Sequence, residues 1–266
     1  AAVPLTIAAI PFIARLVGWL LQLSGKRTVI TGGGSGIGAD MALAFAEAGA
    51  VVTITGRRRE ALEATAKRHP AINIQVADVT READMVALFE TLGAVDVVIA
   101  NAGAAESAPF VRTGLDQWQR MLEVNLTGVF LTLREGLRQL RDGGRLIAVA
   151  STAGLKGYAY VAPYCAAKHG VVGLVRSLAQ EVAGRDITIN ALCPGFTETP
   201  LLEASIATIV SKTGQSPDQA RAHLQANNPG GRLIDPAEVT ATALWLCGPH
   251  SRAIHGQAIS ISGGET

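Results

Sequence analysis

The sequence predicts an α/β fold, a doubly wound parallel sheet of about seven strands with helices on both faces. Three observations carry that expectation. From Gly25 onward, short β-branched runs alternate with segments of helical apolar spacing, joined by short links. The strand-like runs are apolar almost throughout, as they must be when helices cover both faces of a sheet. And the 266 residues are 48% hydrophobic and 17% charged, which is enough apolar material for a large core.

The elements follow in order. Lys26 to Thr31 reads as a buried strand, and Ile37 to Ala48 as a helix closed by Gly49. Ala50 to Thr55 is a second strand. Arg58 to Arg68 is a polar-faced helix stopped before Pro70. Strand Ile72 to Ala77, helix Arg81 to Thr91 and strand Val95 to Ala100 come next. Leu115 to Leu140 holds one or two helices. Gly144 to Ala150 is a strand, Ala162 to Val182 a long helix, and Asp186 to Cys193 a strand. Pro236 to Leu246 is the last helix and Gln257 to Ser262 the last strand. Strands separated by helices imply parallel pairing through right-handed crossovers. Phe196 to Arg232 is one long irregular insertion, and residues 196–232 are expected to form a lid. Residues 25–266 are thus expected to form one domain.

A formal net charge of +1 gives no general electrostatic case for nucleic acid as a partner. Cys165, Cys193 and Cys247 are odd in number and widely spaced, without a disulfide framework or metal-ligand spacing. Reduced thiols in a cytoplasmic protein are the expectation. Residues 1–24 form an apolar extension. Its length permits a membrane span, but Pro4 and Pro11 interrupt it and Arg15 would sit in hydrocarbon. Packing on its own domain or a neighbouring subunit, peripheral membrane contact and a span all stay open.

Between the first strand and first helix lies Thr31-Gly32-Gly33-Gly34-Ser35-Gly36-Ile37-Gly38. Glycines let backbone approach a ligand closely, and the following helix aims its free N–H groups at that point, which suits a pyrophosphate. The spacing T-G-x-x-x-G-x-G resembles the short-chain dehydrogenase/reductase family. Asn101-Ala102-Gly103, Asn125, Ser151, Tyr164-x-x-x-Lys168 and Pro194-Gly195 match that family in order, so the resemblance covers Gly25 to Glu265. It implies a Rossmann-like sheet, a nicotinamide cofactor and a homotetramer.

Reduction of a ketone needs a hydride on carbon and a proton on oxygen, and the proton requires a protein acid. Tyr164 and Lys168 are four apart on a helix, so they share a face. A Lys168 ammonium and an oxidised nicotinamide are expected to depress the Tyr164 pKa. The resemblance gives Lys168 a second role in holding the nicotinamide ribose. Ser151, or its neighbour Thr152, would hydrogen-bond the substrate oxygen; the family pattern, with Gly154 three residues on, favours Ser151. By resemblance alone, Asn125 holds a water linking Lys168 to solvent. Tyr158 and Tyr160 are expected to line the substrate cleft.

The expected cofactor set is Gly32, Gly34, Ser35, Gly36, Ile37, Gly38, Arg57, Asp78, Val79, Asn101, Gly103, Tyr164, Lys168, Pro194, Gly195, Thr197 and Thr199. Gly56 stands where NAD-preferring relatives usually carry Asp, and Arg57 follows it. A guanidinium there can pair with a 2′-phosphate, so NADP is favoured and NAD is the alternative. Asp78 and Val79 match the adenine-contacting position. The chain resembles most the 3-oxoacyl reductases and related carbonyl reductases. The implied partner is a small ketone or secondary alcohol, with NAD-dependent alcohol oxidation or a non-catalytic dinucleotide sensor as alternatives.

Overall fold

The computed structural model describes residues 23–266. Seven parallel strands form one sheet in the order β3-β2-β1-β4-β5-β6-β7: β1 (Arg27–Thr31), β2 (Val51–Gly56), β3 (Ile72–Val76), β4 (Val95–Ala100), β5 (Leu140–Val149), β6 (Thr188–Pro194) and β7 (Ala258–Ile261). The helices are α1 (Gly36–Glu47), α2 (Arg59–Ala66), α3 (Glu82–Leu92), α4 (Leu115–Leu122), α5 (Gly128–Gln139), α6 (Ala162–Glu181), α7 (Pro200–Thr213), α8 (Pro217–Gln225) and α9 (Pro236–Cys247).

Two cores result, one on each face. Met41 and Phe45 of α1, Leu62 of α2 and Ala243 and Leu246 of α9 pack on Ile30, Ile54 and Ile99. On the other face, Met85 and Phe89 of α3, Leu133 of α5 and Val171 and Val175 of α6 pack on Val29, Val98 and Ile189. Each large side chain so buried contributes about 1.5–3 kcal/mol. The one acid in β4, Asp96, is buried but fully engaged: it accepts from the Arg27 N–H (2.8 Å), Lys26 Nζ (3.2 Å) and Arg141 Nη1 (3.3 Å), tying the starts of β1 and β5 to β4.

Two departures from the sequence expectations matter, and one open choice is resolved. The segment expected to be irregular, 196–232, holds α7 and α8, with a small core of its own from Leu202, Ile206, Ala220 and Leu224. Local signals explain it: Thr199 caps α7, Pro200 and Pro217 sit in the first turns, and Ser216 and Gln219 form a reciprocal capping box. The 115–140 stretch is two helices joined by a π-helical turn, Glu123–Thr127. β5 begins at Leu140 rather than Gly144, because Leu140 pairs with Val95 across a register shift.

Leu23 is buried, and its N–H donates to Ala48 O (3.2 Å). The rest of the apolar extension, and with it the packing and membrane readings, lies outside the described residues. Among the described residues, no helix is long and apolar enough to cross a membrane.

Candidate active site

All the expected site residues gather where the strands end, at the edge on which β1 and β4 diverge in connection. The turn after β1 is shaped by close approach. The Gly32 and Gly33 N–H groups both donate to Thr55 O of β2 (2.7 and 3.3 Å), and Gly32 has φ +70°. A Cβ on Gly38 would sit 2.4 Å from both Asn101 Nδ2 and Gly32 O, so no other residue fits without displacement. Asn101 Nδ2 donates to Thr31 O (2.9 Å), locking the β4 loop to the β1 turn. Ser35 stands at the N-cap of α1 without a side-chain hydrogen bond to the helix, whereas Thr199, Ser216 and Asp235 cap α7, α8 and α9. The first-turn N–H groups of α1, including those of Ile37 and Gly38, thus keep their donors for a ligand.

Ser151, Tyr164 and Lys168 meet between β5 and β6. Ser151 follows β5, and its Oγ accepts the Ala153 N–H (3.1 Å). Its neighbour Thr152 is 2% exposed and takes the Tyr158 hydroxyl on Oγ1 (2.7 Å), so of the two expected hydroxyls Ser151 is the one left for a substrate. Burial pushes the Tyr164 phenol up to about 12, and a hydrogen bond with Ser151 pulls the other way. This corrects the expectation that Lys168 depresses Tyr164: Lys168 Nζ lies 5.6 Å from the ring centroid, over the face, and without a bound nucleotide desolvation wins.

Lys168 is 3% exposed, and burial lowers its pKa to about 8. Its Nζ donates to Val149 O (2.8 Å), leaving further N–H bonds for a ligand such as ribose hydroxyls. Asn125 sits in the π-helical turn, fully buried. Its Nδ2 donates to Ala104 O (2.9 Å) and Met121 O (3.0 Å), and its Oδ1 accepts the Ala104 N–H (3.1 Å). A Cβ on Gly103 would lie 3.0 Å from that Oδ1 and 3.8 Å from Lys168 Nζ, so Gly103 leaves the space between them open.

The outlying positions divide. Arg57 and Arg58 follow β2, exposed and without an ion pair among the described residues, while Arg59 pairs with Glu63 (3.8 Å). Asp78 is occupied locally, its Oδ1 accepting the N–H and hydroxyl of Thr80 (3.0 and 2.9 Å), and Val79 is a packed core residue. Pro194 ends β6, and the Gly195 N–H donates to Ile261 O of β7 (3.0 Å). Thr197 Oγ1 donates to Gly195 O (2.9 Å), and Thr199 packs where a Cβ on Gly36 would lie 3.3 Å away. The start of the α7–α8 insertion therefore leans on the glycine turn. Tyr158 is half-buried with its ring edge-on to Phe196, whereas Tyr160 is 66% exposed with φ +68°.

Two residues had no assigned role in the sequence. Thr31 Oγ1 accepts the N–H groups of both Asn101 (3.0 Å) and Ala102 (3.1 Å), fastening the two loops together. Asn228, 2% exposed, accepts the Phe196 N–H (3.2 Å) and donates to the carbonyls of Phe196 (3.0 Å) and Arg232 (2.8 Å). It closes the base of the insertion. Its partners are 32 and 4 residues away, and Asn228 lies in a polar turn after α8, so nothing local singled it out.

Comparison with known proteins places the whole of this fold. Residues 32–266 match the family model described as enoyl-(acyl carrier protein) reductase. A putative ketoacyl reductase of Streptomyces coelicolor is 35% identical, over 89% of this chain and 95% of its own. The D-β-hydroxybutyrate dehydrogenase of Cupriavidus necator is 34% identical, over 91% and 98%. A solved structure of actinorhodin polyketide ketoreductase with NADPH superposes with a TM-score of 0.84 at 33% identity, over 91% and 97%. At that identity and coverage, the chain belongs to the short-chain dehydrogenase/reductase family of oxidoreductases.

Proposed function

We propose that this protein reduces a ketone of 3-oxoacyl type with NADPH, with Tyr164 as the proton donor. The observation that carries the reading is the meeting of Ser151, Tyr164 and buried Lys168 beside the uncapped start of α1. The nicotinamide, when bound, supplies the hydride. Ser151 hydrogen-bonds the carbonyl oxygen and Tyr164 gives it a proton. Burial holds the Tyr164 phenol in its protonated, donating form at neutral pH. Lys168 takes the ribose hydroxyls, and Asn125 holds the space beside Gly103 through which a water can reach it. The turn from Gly32 to Gly38 and the start of α1 carry the pyrophosphate. Asn101, Gly103, Pro194, Gly195, Thr197 and Thr199 wall the nicotinamide half, and Asp78 and Val79 the adenine. Arg57 takes the 2′-phosphate, and residues 196–232 act as the lid. The relatives named above as ketoacyl reductases support the substrate class, and the ketoreductase solved with NADPH supports the cofactor.

The test is NADPH consumption with 3-oxoacyl thioesters and cyclic diketones. Turnover is expected, and Tyr164→Phe should cut kcat by about 100- to 10,000-fold with cofactor affinity unchanged. Full activity in that variant would sink the assignment. The relative named as a hydroxybutyrate dehydrogenase keeps a second reading in view, NAD-dependent oxidation of a secondary alcohol. We propose a cytoplasmic homotetramer for the assembly, on family resemblance and the three free thiols.

A further inference from the structure

Beyond β7 the chain turns sharply through Gly263 and Gly264, at φ +63° and +96°, and delivers Glu265 beneath the loop that joins Ser151 to Tyr164. The Glu265 side chain is 2% exposed. One carboxylate oxygen accepts from Lys156 Nζ (3.2 Å), and the carboxylate also faces the Tyr158 hydroxyl. Burying a carboxylate costs several kcal/mol unless its partners repay it. Packing alone would be better served there by an apolar side chain.

What surrounds it belongs to the catalytic loop. Lys156 Nζ also lies over the Tyr158 ring, 5.0 Å from its centroid. Burial first, and the Glu265 carboxylate second, push the Tyr158 phenol up. That hydroxyl reaches Thr152 Oγ1 at 2.7 Å, one residue from Ser151. On the far side the same turn is stopped by α6, since a Cβ on Gly154 would lie 2.6 Å from Lys168 O. The turn carrying Ser151 is held between two walls. One is the backbone of α6. The other is a hydrogen bond whose donor is fixed by Lys156 and Glu265.

We propose that Glu265 is a positioning residue: with Lys156 it fixes Tyr158, and through the Tyr158–Thr152 hydrogen bond it sets where Ser151 presents its hydroxyl. The inference rests on the reading of Ser151 as the group that binds the substrate oxygen. It uses contacts 109 residues apart, between the Lys156 loop and the β7 tail.

Two measurements on the full chain test it. The first needs no substrate or cofactor. Tyrosine labelled with carbon-13 at Cζ reports phenol hydrogen bonding by NMR, and the chain has three tyrosines, each assignable by its Phe variant. Glu265→Ala should move the Tyr158 and Tyr164 resonances and leave Tyr160 in place, because Tyr164 bonds Ser151. The second is kinetic. Glu265→Ala should lower kcat about 10- to 100-fold, the cost of a small misplacement, with the KM for NADPH nearly constant. Glu265→Gln, which still accepts from Lys156, should recover most of the rate. Tyr158→Phe should match Glu265→Ala, and the double variant should be no worse than either. An unmoved Tyr164 resonance, or losses that multiply in the double variant, overturns the proposal. Should Glu265→Ala fail to fold, Glu265→Gln and Tyr158→Phe carry both readouts. If the wild type reduces no ketone, the reductase reading falls while the resonances still decide the role of Glu265.

Discussion

Lys168 is held at a cost to the fold. An ammonium whose pKa drops from 10.5 to about 8 is disfavoured by burial. By linkage that is about 3 kcal/mol against the folded state at neutral pH. The cost is fully present below pH 8 and fades as pH rises to the unfolded value, because only then is the unfolded lysine neutral too. Lys168→Met should therefore abolish turnover yet melt at a higher temperature near pH 7, with the difference closing towards pH 10.5. A lower melting temperature at pH 7 would contradict this. Arg57 makes the opposite case, an exposed charge with nothing to hold until a ligand arrives. Arg57→Ala should raise the KM for NADPH by about 10- to 100-fold, the worth of a charge-assisted bond, and leave that for NADH unchanged. Parallel losses with both nucleotides would remove its role in selection. That Tyr164 and Lys168 share a helix face and that Ser151 follows a strand was legible because both signals are local; their assignment to a site came from the family resemblance. Thr31 and Asn101 cooperate across 70 positions, and no periodicity displays that.

Among the elements, α7, α8 and α9 carry side-chain caps that α1 lacks. Asp235 and Glu238 close α9 by a reciprocal box, worth about 1 kcal/mol, while α1 begins with Ser35 unbonded to it. That difference was not readable, since serine is as good a cap as aspartate by type. The insertion was misjudged as irregular for a related reason. Pro200, Gly214 and Pro217 lie at helix starts and stops, and that punctuation read as irregular chain. Asn228 gives the insertion its fixed base. Asn228→Ala removes the partner of the Phe196 N–H and of the Phe196 and Arg232 carbonyls, and should cost about 1–3 kcal/mol and open 196–232 to proteolysis ahead of the sheet. Cleavage at the wild-type rate would show that α7 and α8 hold the insertion without it.

At the scale of the whole molecule, about seven strands and their parallel direction were expected from alternation, because a parallel sheet forces helices between its strands; their order came from the structure. Assembly is a separate matter. Sedimentation of the full chain is expected to give four copies, and a monomer would refute the tetramer. The same topology bears on how activity is regained after denaturation. Ser151 and Asn101 stand on loops, and Tyr164 on the first turn of α6, and the three come together only once β1, β4, β5 and β6 have paired, across separations as long as the Thr31–Asn101 contact. Pairing of that range is slow, since each closure must order a whole crossover first. No early intermediate can hold a partial site, so the return of turnover should trail the return of helical signal and serve as a clock for the last closure of the sheet.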